Sequence, residues 1–251
     1  MSQAWLLGQR ALREGWRTPE ALVPTLFIPL FFLVVNVGQA AKIFPGKTTP
    51  FLHGQGYGAF QLPASLLLAA SFGTAALFLV EEIEGGYFDK LRAAPIPRSS
   101  IVLGRLIAEG VKGIGIAAAI VALAIVFGIS IASGVLGFIL LVLMSAGWAV
   151  VFAGYMQLIA LKTRSAAATN SAGLIFFPLL FLTPNLVPRD MLTHPMEIAA
   201  TINPVTYVME GLRSLVLVDL NWTDILQGFA VVVIAAAVML TLSVRLINRY
   251  D

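Results

Sequence analysis

The sequence predicts an all-α membrane protein with six transmembrane helices, and three observations support that fold class. Of its 251 residues, 59% are hydrophobic and 12% are charged, which is about half the charged fraction of an ordinary soluble domain. The apolar residues form long uncharged runs, and a helix needs about 20 consecutive apolar residues to cross a bilayer core. Charge is concentrated between two such runs, at residues 81–105. That interruption predicts a surface that faces a soluble partner.

The segment before the first run, residues 2–18, is predicted to be an interfacial helix. On a helix, Trp5 and Leu12 share one face, whereas Arg10 and Arg13 lie largely on another. An amphipathic helix of this kind lies in the plane of the membrane interface with its aromatic side toward lipid. Packing of the same face against a soluble partner is the alternative.

The apolar runs that follow define the predicted spans. Residues 113–161 are too long for one span and contain a small-residue break, Ser-Ile-Ala-Ser-Gly, at residues 130–134. That run is therefore predicted to form two spans joined by a tight turn. The six predicted spans are residues 21–41, 60–80, 106–130, 134–161, 166–186 and 225–246.

The charges orient these spans. With six spans, most of the 16 Lys and Arg residues fall on the side that holds both termini and the interruption at 81–105. Because cytoplasmic loops are enriched in Lys and Arg, both termini are predicted to be cytoplasmic.

The external segment at residues 187–217 is predicted to form a re-entrant helical hairpin. Three prolines and several charges interrupt it, so that two short helices fit better than an extended loop. Asn203 precedes a proline and is disfavoured in a helix, whereas Pro204 can begin one. Non-helical backbone enters a membrane only where protein or water satisfies it.

Several chemistries are not predicted. Gly46-Lys47-Thr48 resembles the end of a phosphate-binding loop, but Ala41 stands where that motif needs glycine. The two histidines lack a partner at metal-ligand spacing and the chain has no cysteine, so neither a metal site nor a catalytic residue is expected. Basic residues sit beside membrane ends, which does not indicate nucleic-acid binding. The spans carry almost no ionisable groups apart from Glu109 and Lys112, so energy for uphill transport is expected from another subunit.

Two stretches resemble a known family. The sequence EIEGGYFDKLRAAPIPRS at 82–99, followed by LGRL at 103–106, resembles the cytoplasmic loop of ABC-2-type permeases, and is most similar to the daunorubicin-resistance subgroup. The sequence FFPLLFLTPNLVP at 176–188, with INPVTY at 202–207 and GLR at 211–213, resembles the fifth span and outer helices of the same family. The residues of that outer motif are Asn203, Pro204, Tyr207 and Arg213.

The resemblance implies a multi-pass permease subunit of a bacterial cytoplasmic membrane. Such a subunit pairs with a second permease protomer, the same or homologous, and contacts membrane lipids. It binds a dimer of cytoplasmic ABC ATPases, which hold ATP and Mg²⁺, so no cofactor is expected in this chain. Residues 84–98 would form a coupling helix, with apolar side chains as anchors and charged ones at the rim. The implied coupling residues are Glu84, Tyr87, Phe88, Asp89, Lys90, Leu91, Arg92 and Arg98.

The second and fifth spans carry polar notches beside aromatic residues, which is typical of a path for an amphipathic solute. Small and hydroxylated residues also hold membrane helices together, so helix packing is the alternative. The candidate path residues are Ser71, Thr74, Thr169, Asn170, Phe177 and Phe181.

The function expected on these grounds is export of a hydrophobic or amphipathic solute, namely a drug, a lipid or a natural product. Two alternatives stay open at this point. One is an ABC permease that exports polysaccharide or glycolipid, and the other is a membrane scaffold or sensor that binds an ATPase without transporting anything.

Overall fold

The computed structural model describes residues 3–72 and 75–248, and within that part of the chain every regular element is helical. Two short 3-10 turns, Pro50–Leu52 and Arg189–Met191, accompany the helices. The helices are α1 (Gln3–Trp16), α2 (Pro19–Ala40), α3 (Tyr57–Ala70), α4 (Ala75–Glu84), α5 (Tyr87–Ala93), α6 (Arg98–Val126), α7 (Gly134–Thr163), α8 (Ala166–Gly173), α9 (Phe176–Phe181), α10 (His194–Ile202), α11 (Pro204–Leu217) and α12 (Trp222–Asn248).

Four of the described helices are long and apolar enough to cross a membrane: α2, α6, α7 and α12. The second and fifth predicted spans are each divided into shorter helices. The second, residues 60–80, is shared between α3 and α4, and residues 73 and 74 between them lie outside the described part. The fifth, residues 166–186, is shared between α8 and α9, with Gly173 at the end of α8. The six-span arrangement therefore stays a prediction.

The long apolar run at 113–161 forms two helices, as its small-residue break predicts. α6 ends at Val126 and α7 begins at Gly134, which takes a positive φ of 61° that glycine tolerates. The connecting loop is tied to α11, because the Ala132 amide donates to the Val216 carbonyl at 3.0 Å. Ser133 Oγ also donates to the Leu215 carbonyl at 2.9 Å.

The amphipathic helix α1 packs along α6. Its backbone approaches so closely that a Cβ atom placed on Gly104 would lie 2.8 Å from the Leu7 Cβ and 3.0 Å from the Ala4 carbonyl oxygen. Trp5 and Leu6 remain exposed on the other side, at 42% and 52%. One face of α1 is therefore buried on α6, and a position in the membrane interface stays a prediction for the exposed face.

The core is built around α7, which contacts α3, α4, α6, α11 and α12. α3 is only 14 residues long, yet every one of its residues is buried. α11 is buried over most of its length and lies against α12, where a Cβ on Gly211 would meet the Asp224 carbonyl oxygen at 2.9 Å. The short helices α3 and α11 thus form the interior, and longer helices surround them.

The bundle has two ends. α4, α5, the start of α6 and the end of α12 share one end, where Arg98 Nη1 donates to the Asn248 carbonyl at 3.3 Å. We call this the α5 end. The loop at 41–56, the turn at 127–133 and the segment at 182–221 lie at the opposite end.

Candidate functional site

α5 is confined to seven residues by its flanking sequence. Gly86 adopts a left-handed conformation with φ of 69°, which glycine takes without a steric penalty. At the other end Ala94 is extended and Pro95 follows it, as expected for a residue before proline. The predicted coupling segment 84–98 thus contains the end of α4, all of α5 and the first residue of α6.

α5 has a buried side and an exposed side. Phe88 is 1% exposed and belongs to the chain's own hydrophobic core, and Leu91 packs against that core while half-buried. Tyr87 is 38% exposed, and Asp89 and Lys90 are also exposed. Glu84 is likewise exposed at the end of α4, whereas the Arg92 side chain lies outside the described part.

The burial of Phe88 bears on its predicted role as an anchor for a partner, which stays a prediction. Its ring is enclosed by the same chain, so it fastens α5 to the bundle and does not offer a surface to another protein in this conformation. Tyr87, the neighbouring aromatic residue, is the one exposed. Sequence alone could not separate these two roles, because adjacent residues on a short helix lie about 100° apart and either can face inward.

A buried carboxylate joins three helices at the α5 end. Glu82 is 8% exposed and accepts a hydrogen bond from Arg10 Nη2 of α1 at 2.8 Å. It also forms a short ion pair with Arg105 of α6. Arg10 in turn lies over the Tyr87 ring, with 4.2 Å between its Cζ atom and the ring centroid. We call Arg10, Glu82 and Arg105 the Glu82 cluster.

The Glu82 cluster was not predicted from the sequence. Its members are separated by 72 and 23 positions along the chain, so no local spacing brings them together. A hint was available, because a carboxylate close to a membrane span requires a compensating charge. Two arginines meet that requirement here, since a buried charge is tolerated when it is paired and hydrogen-bonded.

A lateral cavity of about 520 Å³ opens between α2, α3, α7, α8 and α9. It brings together three predicted path residues, Ser71, Asn170 and Phe177, and its lining is mainly apolar. Ser71 is already engaged, since its hydroxyl donates to the Leu67 carbonyl and accepts from Trp148 Nε1 at 3.0 Å. The serine therefore also holds α3 against α7.

Two other predicted path residues, Thr169 and Phe181, do not line this cavity. Thr169 is fully buried, and its hydroxyl donates to the Ser165 carbonyl at 2.8 Å. Phe181 is 50% exposed and packs edge-on against Phe32, with ring centroids 6.3 Å apart. Thr74 lies outside the described residues.

A hydrogen-bonded network at the opposite end was also missed from the sequence. Gln61 of α3 donates to the Tyr57 hydroxyl and to the Asn185 carbonyl, at 2.9 and 2.8 Å. Its side-chain oxygen accepts from Asn36 of α2 at 3.2 Å, and Tyr57 donates to the Leu186 carbonyl at 2.7 Å. This network fixes the polar residues of α2 and α3 to the segment that follows α9.

The outer motif residues are used mainly to shape α10 and α11. The Asn203 side chain accepts from the Val205 amide at 3.0 Å and donates to the Leu179 carbonyl at 2.6 Å. Pro204 occupies the first turn of α11. Tyr207 donates to the Thr201 carbonyl at 2.8 Å, which joins the two helices. The helix break predicted at residues 203–204 is present.

Arg213, the last residue of the outer motif, is 8% exposed. Its Cζ atom sits 3.6 Å from the Phe60 ring centroid, and its Nε and Nη2 atoms have no hydrogen-bond partner in the described structure. Burial lowers the pKa of Arg213 to about 10, so the side chain is still protonated at pH 7. A desolvated cation–π contact contributes about 2 kcal/mol, which is less than the several kcal/mol that burying a cation costs.

Arg189 and Glu210 form an ion pair close to Arg213. Arg189 Nε and Nη2 donate to the two carboxylate oxygens of Glu210 at 3.1 and 2.8 Å. Burial raises the pKa of Glu210 above its ordinary value, and the neighbouring Arg189 partly offsets that rise. This fork-to-fork geometry occupies both Glu210 oxygens. Among residues 3–72 and 75–248, His, Asp and Glu form no group that could hold a metal ion.

An all-helical bundle with several helices of membrane-spanning length and composition is a multi-pass membrane protein. The sequence matches the ABC-2 type transporter family over residues 2–217, and the chain belongs to that family. It is therefore a transmembrane permease of an ABC transporter, a transport subunit that is not itself catalytic. Permeases of this family work with a cytoplasmic ABC ATPase. The family match ends before α12 begins. A comparison with curated proteins found no match to the chain.

Proposed function

We propose that this permease exports a hydrophobic or amphipathic solute, such as a drug, a lipid or a natural product, with energy from a separate ATPase. The proposal rests on the way in which α5 is attached to the helical bundle. A seven-residue helix presents an exposed charged surface while its other side is fixed by the buried Phe88 ring. ATP and Mg²⁺ would bind to the ATPase and not to this chain.

The exposed surface of α5, with Tyr87, Asp89 and Lys90, is the proposed contact for the ATPase. Its mounting suits the transmission of movement, because a helix held only by solvated loops would yield when pushed. The Glu82 cluster links the end of α4 to α1 and α6, and Arg10 extends that link to Tyr87. Displacement of α5 would therefore move α1, α4 and α6 together.

The proposed membrane arrangement has six spans, with both termini and α5 in the cytoplasm. Two of the spans would be completed by the divided pairs α3–α4 and α8–α9. In the same arrangement α10 and α11 would form the outer re-entrant hairpin. A second protomer, identical or homologous, would complete the transporter, and the solute would move between the two.

The size and lining of the lateral cavity support the proposal that the solute is small and amphipathic. Its volume of about 520 Å³ lies within the range of about 300–1,000 Å³ that is typical of small-molecule sites. Asn170 and Ser171 supply polar groups, and Phe176 and Phe177 supply aromatic surface. An extended polysaccharide would need a longer, more polar passage. The cavity therefore favours export of a small amphipathic solute over export of a polymer.

Charge reversal on α5 tests this proposal. The full permease and its ATPase are reconstituted in vesicles, and ATP hydrolysis is measured with a hydrophobic dye as the transported probe. Lys90→Glu is expected to reduce coupled hydrolysis and dye export by about tenfold or more, since a repulsive interface charge costs several kcal/mol. Lys47→Glu, an exposed lysine at the opposite end, is the matched control and should leave both rates unchanged.

Unchanged hydrolysis and export in Lys90→Glu would refute the α5 contact. Coupled hydrolysis without export of any solute would instead support the scaffold or sensor alternative.

A further inference from the structure

A second cavity, of about 580 Å³, lies at the opposite end between α3, α11 and α12. Its lining contains charged side chains of both signs together with aromatic rings, among them Arg189, Glu210, Arg213, Asp224 and Phe60. We call it the Arg213 cavity. It is separate from the lateral cavity, and neither the proposed coupling surface nor the proposed path uses it.

The charged side chains in the Arg213 cavity differ in whether they have hydrogen-bond and ion-pair partners. Arg189 and Glu210 neutralise each other through two hydrogen bonds. Asp224 accepts a hydrogen bond from Asn221 at 2.7 Å. Within the part of the chain that the structure describes, Arg213 has neither a salt bridge nor a partner for its Nε and Nη2 atoms.

We propose that the Arg213 cavity binds an anionic group, a phosphate or a carboxylate, on the Arg213 guanidinium. A planar guanidinium offers parallel N–H donors that match the oxygens of both groups. Arg213 is more than nine-tenths buried and its two unpaired nitrogens have no exposed surface. Binding therefore requires the side chain to shift toward the cavity that it lines.

The surroundings of Arg213 favour a bound anion of moderate size. Phe60 covers one face of the guanidinium, which leaves its edge for hydrogen bonds. Exposed polar groups at the rim, His53, Asn221 and Gln227, can donate further hydrogen bonds. The volume would hold a phospholipid head group or a small soluble anion, and these two sources share the same chemistry.

Cysteine protection tests the proposal on the full chain without any ATPase, so failure here is distinct from failure of the export proposal. The protein has no cysteine, so His53→Cys introduces a single thiol in the cavity. Its modification by an anionic methanethiosulfonate reagent is timed in neutral detergent with inorganic phosphate or with chloride at equal ionic strength. Thr48→Cys, exposed in the same loop but outside the cavity, is the matched control.

A lipid arm separates the two sources. The same two variants are compared in vesicles of phosphatidylcholine alone and in vesicles of phosphatidylcholine and phosphatidylglycerol in equal parts. We expect at least about fivefold slower modification of His53→Cys, but not of Thr48→Cys, with the anion that binds. Protection by phosphate identifies a soluble-anion site, and protection only by phosphatidylglycerol identifies a head-group site. Absence of protection in both arms overturns the proposal.

Arg213→Met in the His53→Cys background supplies the second measurement. This change removes the donors, so it should abolish the protection while the modification rate in chloride stays similar. Protection that persists in Arg213→Met would assign the anion to other groups and would also overturn the proposal. If Arg213→Met does not fold, Arg213→Lys retains the charge, loses the paired donors, and is expected to weaken protection.

Discussion

At the residue scale, buried charges distinguish the two ends of this bundle. Glu82 is paired with arginines from two other helices. In the described part of the chain, Arg213 has an aromatic ring against its guanidinium and no hydrogen-bond partner for Nε or Nη2. A satisfied buried charge fixes the position of the helices that carry it, and an unsatisfied one is available to a ligand. The first therefore suits the mounting of α5, and the second suits a binding cavity.

Removing the charge of Glu82 should lower the stability of the protein by loosening the helices at the α5 end. Glu82→Gln removes the carboxylate charge that pairs with the buried Arg105, and breaking a buried pair costs about 3–5 kcal/mol. Thermal unfolding in detergent should show a clear loss of stability. Glu81→Gln, at the exposed neighbouring position, should change stability by less than about 0.5 kcal/mol. Equal midpoints for the two variants would mean that the Glu82 cluster does not hold the helices together.

The adjacent aromatic residues of α5 should respond in opposite ways. Phe88→Ala empties a core position and is expected to cost about 3–5 kcal/mol of stability. Tyr87→Ala removes a partly exposed ring and its contact with Arg10, so it should cost only about 0.5–1 kcal/mol of stability while it weakens co-purification of the ATPase. Stability and co-purification are measured on both variants. A stable Phe88→Ala protein that has lost its ATPase would instead support the predicted role of Phe88 as a partner anchor.

At the element scale, two of the breaks between helices were predictable from the sequence, and the contacts between helices were not. Helices end or begin at Asn203-Pro204 and at the small residues 130–134 for local reasons. The sequence therefore located both helix breaks. The packing of α1 on α6 depends on the absence of side chains at Gly8 and Gly104. Nothing in either segment alone shows that the two glycines meet.

The contact between α1 and α6 can be tested within one helix. Gly104→Ala places a Cβ atom 2.8 Å from the Leu7 Cβ, so the two helices must separate, at a cost of about 1–3 kcal/mol. Gly115→Ala, also in α6, meets nothing within 4 Å and should be neutral or stabilising by up to about 1 kcal/mol. Thermal midpoints of the two variants provide the comparison. A stabilised Gly104→Ala protein would contradict the close packing of α1 on α6.

At the scale of the whole molecule, composition and charge placement predicted a helical membrane bundle whose charged interruption lies at one end. The division of the second and fifth apolar runs was not anticipated, because hydropathy measures apolar length and not helix continuity. Which of the predicted path residues line a cavity and which only pack between helices could be decided only from the structure. Ser71, Asn170 and Phe177 line one cavity, whereas Thr169 is enclosed beside it.

The central claim is that energy enters the molecule at the α5 end, through contact with a cytoplasmic ATPase. The most direct measurement is site-specific crosslinking, because the chain has no cysteine to interfere. Lys90→Cys and Lys47→Cys are each labelled with a benzophenone maleimide in the full complex and irradiated. A crosslink from position 90 to the ATPase, with none from position 47, is the predicted result. A crosslink from position 47, or none from position 90 in a complex that still co-purifies, would contradict the claim.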